Sequence, residues 1–127
     1  MAEEIVNKVA QSGIEQIDLK QFMSTSVWKT IDLKDQLWNG LVLKEKEFRA
    51  WVKQNQWNEY DGLNVYIHCS VDAIIPSWAY MLVTTHLVKA NKIYYSSTQE
   101  EAIEDDFFDN LNRWNAKEFT DKIVMIK

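Results

Sequence analysis

The stretch "LNVYIHCSVDAIIPSWAY", residues 63–80, decides the fold, because it predicts a strand, a loop and a helix in direct succession. Val65, Ile67 and Cys69 would share one face of the strand, while Tyr66 and His68 occupy the other. Both faces are largely apolar, as is typical of an interior strand covered on both sides. The loop ends at Pro76, which fits the first position of a helix because the missing N–H costs nothing there.

Helix and strand patterns alternate on either side of this stretch. From residue 27 onward the order is strand, helix, strand, helix, strand, helix, strand, which predicts right-handed crossovers between parallel strands. We therefore expect an α/β fold: one layered domain over residues 1–127, with a mainly parallel mixed sheet of four to six strands flanked by helices. Val65–Cys69 should lie near the centre of that sheet. The strands are expected in the segments 14–22, 27–33, 63–69, 92–97 and 121–127.

The helix patterns carry further expectations. Residues 3–13 place apolar side chains on one stripe, with Gly13 as the stop. Thr98 and Glu101 have the spacing of a capping box before the helix in residues 98–114. The helix in residues 76–89 is apolar on two sides, so it should be deeply buried or lie at an interface. With the high aromatic content, this predicts a homodimer or higher oligomer.

The chain also partly matches itself when it is shifted by 59 residues. Phe48 then falls on Phe107, Val65 on Val124 and Ile67 on Ile126. The shared unit, 44–68 and 103–127, is an amphipathic helix, a turn and a buried strand. Two interpretations stay open: a real repeat, or the resemblance expected of any two helix–strand units of similar length.

Composition excludes several classes of function. The net charge is −5 and no run of basic residues occurs, so the electrostatic footprint of nucleic-acid binding is missing. The longest nearly apolar run, Ala73–Val83, is too short to cross a bilayer. The acidic N-terminus lacks the apolar core of a signal peptide, and a single Cys cannot form an internal disulfide. We expect a cytoplasmic protein that binds neither nucleic acid nor membrane.

The loop after the central strand is the candidate binding or reactive site. Cys69 has two interpretations: a thiol activated by the amides and dipole at a helix N-terminus, or a small buried apolar residue on the Val65 and Ile67 face. In the first case the sulfur should lie close to loop amides, at the carboxyl end of a strand, where open α/β sheets bind ligands. The candidate residues of this loop and helix start are Cys69, Ser70, Asp72, Pro76, Ser77, Trp78 and Tyr80.

No familiar reaction fits this loop. A Cys-based phosphatase needs an Arg six residues after the Cys, and Ile75 stands there. His68 should point to the opposite face of the strand, and His86 lies roughly 15 Å along the helix, so neither should pair with Cys69. His86 is expected to be a satisfied buried or interfacial residue. We therefore assign no catalytic residue.

Metal and cofactor sites are not predicted either. One Cys and two distant His residues cannot form a structural zinc site, and a cluster with four Cys ligands could only be shared between subunits. The acidic run "EEAIEDDFFD", residues 100–109, could bind a cation or a basic partner, but a solvated helix face explains it as well. No metal and no cofactor are expected.

Three stretches carry a resemblance to a known family. "MAEEIVNKV", "GLVLKEKEFRAWVK" and "CSVDAIIPSWAYM" resemble the bacterial domain-of-unknown-function family 2480, and the resemblance runs from Met1 to Lys127. It implies longer proteins with a second Cys-containing βα unit, so this sequence would be a fragment or a short member. The family has no established reaction. Its gene neighbours imply an accessory role in iron–sulfur cluster assembly.

Two functions from different classes stay open. The first is a non-enzymatic cytoplasmic binding or adaptor protein, which contacts a protein partner or a second copy of itself through helix 76–89 and the loop before it. The alternative is a Cys-dependent catalyst or a persulfide carrier that uses Cys69. The residues favour the first, because they supply no base for a nucleophile.

Overall fold

The computed structural model of the protein describes residues 13–127. Within this range the strands are β1 (Glu15–Ile17), β2 (Trp28–Asp32), β3 (Asn64–His68), β4 (Lys92–Tyr94) and β5 (Val124–Ile126). The α-helices are α1 (Glu45–Gln54), α2 (Ser77–Thr85) and α3 (Gln99–Arg113). Short 3-10 turns occupy Leu19–Phe22, Leu33–Gln36, Trp57–Tyr60 and Ala116–Phe119. The helix predicted over residues 3–13 lies almost wholly outside the described residues.

The chain divides into two compact units. Residues 25–105 form one unit, whose three parallel strands have the order β2-β3-β4. Residues 13–24 and 106–127 belong to the other, in which β1 and β5 pair in parallel. The predicted α/β class with parallel strands is confirmed, and the five strands are divided between these two sheets. That the chain is one domain stays a prediction.

Strand β3 is the middle strand of its sheet, as the sequence predicts. Its residues 64–67 are buried, with Val65 fully buried and Ile67 1% exposed. Helices α1 and α2 both pack on the face formed by Ile31, Val65 and Ile67. Two crossovers that advance in the same direction across a parallel sheet place both helices on the same face, which is the arrangement seen here.

The sequence explains how α1 forms and what it buries. Glu45 and Glu47 lie in its first turn, where the helix dipole favours negative charge. Phe48 and Val52, one turn apart, are its buried residues. The Trp57 indole donates a hydrogen bond of 2.8 Å to the carbonyl of Val52 and so satisfies an acceptor near the helix end.

Helix α2 begins one residue later than the sequence suggested. Pro76 is the N-cap, with an extended ψ of 146°, and Ser77 is the first helical residue. Ala79 and Val83 face the core. The second apolar stripe is not buried, because Met81 is 65% exposed and Val88, just beyond the helix, is 81% exposed. Of the two expectations for this helix, deep burial is therefore wrong.

The capping box of α3 is confirmed in its main contact. The Glu101 amide donates to the Thr98 hydroxyl at 3.1 Å, while the Glu101 carboxylate accepts from the Ser97 amide at 3.1 Å. Four of the six carboxylates of the acidic run that follows are exposed, as on a solvated helix face. Asp109 is half-buried, and Asp106 is 1% exposed and accepts a hydrogen bond from the Asn110 side chain at 3.4 Å.

The strand predicted over residues 14–22 is shorter in the structure. Strand β1 ends at Ile17, and Asp18 then accepts a hydrogen bond from the Lys20 amide at 3.0 Å, which starts a 3-10 turn. The sequence "DLK" recurs at residues 32–34 with the same contact, from the Lys34 amide to Asp32 at 3.0 Å. A capping Asp favours a turn over continued extension, because its side chain satisfies a free amide.

The two sheets share one local pattern at the offset of 59 residues. The turn Trp57–Tyr60 corresponds to Ala116–Phe119, and both α1 and α3 end at corresponding residues. Gly62 and Asp121, also 59 residues apart, both have positive φ, 74° and 61°. The registers agree as well, since Ile31 pairs with Ile67 and Ile17 pairs with Ile126.

Candidate functional site

The carboxyl ends of β2, β3 and β4 bring polar side chains to one edge of the three-stranded sheet. Asp32, the last residue of β2, pairs in register with His68, the last residue of β3. Strand β4 ends at Tyr94, and the segment 95–97 continues at the same edge. Ligands of open parallel sheets bind outside the carboxyl ends of the strands. This edge is therefore where a site is expected.

An open cavity of about 500 Å³ lies at this edge, inside the unit of residues 25–105. Strand β3 and its continuation, the first turns of α2 and the segment after β4 supply its walls. The volume is within the roughly 300–1,000 Å³ of small-ligand pockets. The lining residues are Ile67, His68, Cys69, Ser77, Tyr80, Met81, Tyr95, Ser96 and Ser97.

Cys69 lies half-buried in the wall of this cavity and also packs against the core. Its thiol donates a weak hydrogen bond to the carbonyl oxygen of Val71, with an S···O distance of 3.5 Å. The prediction had placed loop amides beside the sulfur, whereas the contact found is with an acceptor. A carbonyl oxygen can accept the proton of a thiol, but it cannot donate a hydrogen bond to a thiolate, as a loop amide would.

Two tyrosines form an aromatic wall. The rings of Tyr80 and Tyr95 meet edge to face, with centroids 6.0 Å apart. The Thr84 hydroxyl donates its one proton to the Tyr80 carbonyl at 2.7 Å. It also forms a hydrogen bond with the Tyr95 hydroxyl, which must therefore be the donor in that contact. Burial, and secondly the charge of Cys69, raises the pKa of the Tyr80 phenol. Tyr80 therefore stays neutral at physiological pH.

Asp32 connects two of the loops at this edge. Its Oδ1 atom accepts hydrogen bonds from the Lys34 amide at 3.0 Å and the Ser70 amide at 3.1 Å. Burial by itself raises the pKa of this carboxyl. The hydrogen bonds from the Ser70 side chain and from the two amides, together with the charge of His68, have a larger combined effect, so the pKa is lowered from its ordinary value. The His68 Nε2 atom lies 3.9 Å from Oδ2. Asp32 thus holds the start of the Cys69 loop against the end of β2.

The structure brings together three of the seven predicted site residues, namely Cys69, Ser77 and Tyr80. Ser70 is turned to Asp32, and Asp72 is exposed. Pro76 serves as the N-cap of α2. Trp78 lies away from the cavity: its ring meets Phe48 edge to face at 5.6 Å, and the Arg49 guanidinium lies 5.1 Å from its centre.

The two histidines occupy different places. His68 lines the cavity, and its ring lies 5.3 Å from that of Tyr66, which is the side of the strand that alternation predicts for both residues. His68 is the last paired residue of β3, so the cavity at the strand end is bordered by His68 as well as by Cys69. His86 is exposed at the end of α2 and stacks on Trp57 with centroids 5.7 Å apart, so burial, one of its two expected settings, is wrong, and an interface stays a prediction.

Several site residues escaped the sequence analysis: Asp32, Met81, Tyr95, Ser96 and Ser97. For all of them except Met81, which lies in α2, the signal was the predicted parallel order, because the carboxyl ends of neighbouring parallel strands must meet at one edge. Asp32 lies near the end of one predicted strand, and "YSS", residues 95–97, ends another. The sequence therefore marked these strand ends, but only the tertiary structure shows which side chains share a cavity.

The border of the cavity is acidic. The Ser96 hydroxyl donates to Asp105 at 3.3 Å, and the Ser97 amide donates to Glu101 at 3.1 Å, so both carboxylates contact lining residues. The nine lining residues include no Lys and no Arg. The site is thus poorly suited to a phosphate or carboxylate ligand, since no Lys or Arg side chain at the wall would pair with the anion.

Among residues 13–127, no group of three or more His, Cys, Asp or Glu side chains is placed to hold a metal ion. In the same part of the chain, every helix is too short or too polar to span a bilayer.

The fold and the cavity define a small α/β protein with parallel sheets and an open cavity at the carboxyl edge of the three-stranded one. The model of the family described as "Protein of unknown function (DUF2480)" matches residues 3–127, so the chain belongs to this family. No curated protein matches the chain. No solved structure matches it either.

Proposed function

We propose that this chain is a non-enzymatic binding or adaptor protein whose contact surface is the carboxyl edge of the β2-β3-β4 sheet. The cleft between the Cys69 loop and the first turns of α2 is the observation that carries the proposal. Its walls offer aromatic, aliphatic and hydroxyl groups, which suits recognition of another molecule. The family supplies no reaction that would argue otherwise.

The exposed residues around the cleft support a protein partner. Met81 and Tyr95 line the cleft and are 65% and 56% exposed, and Ile74, which is 94% exposed, lies in the loop that connects the lining residues Cys69 and Ser77. Clustered apolar side chains around a concave site are typical of protein interaction surfaces, whereas single exposed apolar residues are not informative. Aromatic residues and Met are also enriched at such interfaces.

The proposal extends to the setting that the sequence suggested. A cytoplasmic location, self-association as a homo-oligomer and an accessory role in iron–sulfur cluster assembly remain parts of it. The exposed stripe at Met81 and Val88 supports self-association, since a second copy would cover it. A role with iron–sulfur clusters would have to be that of a partner, because one Cys provides at most one of the four usual ligands.

The alternative is a Cys-dependent catalyst or persulfide carrier. It is favoured by one observation: Cys69 lines an open cavity, where a reagent could reach the sulfur. The contact of the sulfur with the Val71 carbonyl argues against it, because a carbonyl cannot donate a hydrogen bond to a thiolate. Labelling with a thiol probe across pH separates the two functions: a rate that is already maximal at pH 7 would support the alternative.

Site-specific photo-crosslinking tests the proposal. A photoreactive residue at Ile74 should give one discrete adduct in the producing cell, while the same residue at Lys53, on the exposed side of α1, should not. The adduct is identified by mass spectrometry, which also shows whether it is a second copy, and binding is then measured with the purified partner. Equal or absent crosslinking from the two positions would overturn the proposal.

A further inference from the structure

We propose that the cavity receives one bulky apolar side chain from a partner polypeptide, and that basic residues next to this side chain pair with Glu101 and Asp105. This inference rests on the proposed binding function and specifies the chemistry of its partner.

The walls of the cavity favour an apolar anchor. Ile67 is almost fully buried at its base, and Met81 and the two tyrosine rings form its sides. An aromatic or long aliphatic side chain would gain edge-to-face contacts with Tyr80 and Tyr95 and would displace water from these surfaces. Binding energy at protein interfaces concentrates in such anchors, which insert into a pocket and are surrounded by weaker contacts.

The exposed apolar residues of the cavity wall fit this picture. Met81 and Tyr95 line the cavity and are 65% and 56% exposed, so a segment whose anchor enters the cavity would also cover their outer surfaces. Ser77 and Ser97 are exposed lining residues that offer hydroxyl groups to the backbone of that segment. A free apolar small molecule would leave this outer surface in water, which favours a polypeptide over a metabolite.

The charge at the border specifies what flanks the anchor. Glu101 and Asp105 contact Ser97 and Ser96, and Glu100 and Glu104 lie on the same exposed first turns of α3. None of the residues that line the cavity is a Lys or an Arg. A Lys or Arg next to the anchor would be attracted, while an acidic residue would be repelled.

Selection from a random library of dodecapeptides tests this inference. The native protein is the target, and the Ser77→Trp variant, in which an indole occupies the cavity from an exposed position, is the counter-selection. Enriched peptides should contain one central aromatic or long aliphatic residue with Lys or Arg within two positions. Their affinity for Ser77→Trp should fall at least tenfold, as measured by fluorescence anisotropy.

A second variant tests the charges without changing the shape. Glu101→Gln with Asp105→Asn keeps acceptors for the Ser97 amide and the Ser96 hydroxyl, so the loop should stay in place. Affinity for the selected peptides should fall about threefold to tenfold at low salt and become less dependent on ionic strength. Circular dichroism of both variants verifies that each is folded.

Three results would overturn the inference: no enrichment over the counter-selection, enrichment of acidic peptides, or unchanged affinity in the Ser77→Trp variant. If one of these results is obtained while the photoreactive residue at Ile74 still gives a discrete adduct, the proposed apolar anchor is rejected and the proposed binding function is retained. If the crosslink is also missing, the binding function itself fails.

Discussion

Replacement of Asp32 by Ala should destabilise the protein more than a capping residue normally does, because Asp32 joins two loops. The side chain is 18% exposed and accepts the amides of Lys34 and Ser70. A hydrogen bond to a charged group contributes about 1.5–3 kcal/mol, and partial exposure favours the lower figure. Two such bonds give an expected loss of about 3 kcal/mol for Asp32→Ala.

The chain contains its own control at Asp18. This residue starts the same "DLK" turn and accepts the Lys20 amide at 3.0 Å, but no contact with a second loop is described for it. Loss of such a cap costs about 1 kcal/mol. The two Ala variants should therefore differ by about 2 kcal/mol in the free energy of unfolding.

Urea denaturation followed by tryptophan fluorescence measures this difference. With a slope of about 2 kcal/mol per M, the midpoint of Asp32→Ala should lie about 1 M below that of Asp18→Ala. The pKa of Asp32 is lower in the folded state than its ordinary value of 3.8. Its contribution is therefore complete above pH 3.8 and is lost as the pH falls through the folded pKa.

Two results of this experiment would contradict the prediction for Asp32. Equal midpoints for the two Ala variants at pH 7 would mean that the contact between Asp32 and Ser70 does not stabilise the loop. A difference that persists below the folded pKa of Asp32, where its carboxyl is protonated, would mean that charge-assisted hydrogen bonding is not its source. Asp32→Asn should give an intermediate midpoint, because the amide oxygen still accepts but carries no charge.

Three further predictions follow from burial and pKa. Cys69→Ser should change the free energy of unfolding by less than about 1 kcal/mol, since the hydroxyl can also donate to the Val71 carbonyl; a larger loss in urea denaturation would place Cys69 in a dry core. Phe48→Ala should cost about 3–5 kcal/mol, because this ring is 1% exposed, whereas the exposed Met81→Ala should stay within about 0.5 kcal/mol in the same assay. The pKa of Tyr60 is raised to about 12, first by burial and then by the hydrogen bond and charge of Glu59. The free energy of unfolding should therefore decline from about pH 10 to pH 12, because only the unfolded state loses the phenol proton in this range. Tyr60→Phe should remove part of this decline, and an unchanged pH profile in the variant would contradict the prediction.

Much of the fold could be predicted from local patterns. The apolar faces of residues 64–67 indicated the central strand, and Thr98 with Glu101 indicated the start of α3. Both features can be recognised in short stretches of sequence. The burial of a strand follows from a side-chain period of 2.0 residues, and a capping box follows from two residues that are three positions apart. The division into two sheets was not visible in this way, since strand partners are chosen by contacts distant in sequence.

The candidate site was only half predicted. Cys69, Ser77 and Tyr80 come from one continuous stretch, so a strand–loop–helix pattern was enough to bring them together. Tyr95 and Ser96 come from a separate strand, and Trp78 follows Ser77 directly yet faces the other way. Neighbouring helix positions differ by about 100° in direction, so membership of a helix start does not by itself place a residue in the site.

The sequence by itself determined the α/β class, the central strand, the helix starts and the place where a site should form. Each of these depends on backbone preferences and apolar periodicity within about 15 residues. Only the tertiary structure decided that Asp32 and His68 end in register, that Met81 and Val88 stay exposed, and that the thiol of Cys69 meets a carbonyl. These features depend on strand register and on how α2 is rotated against the sheet, which the packing of many side chains sets together.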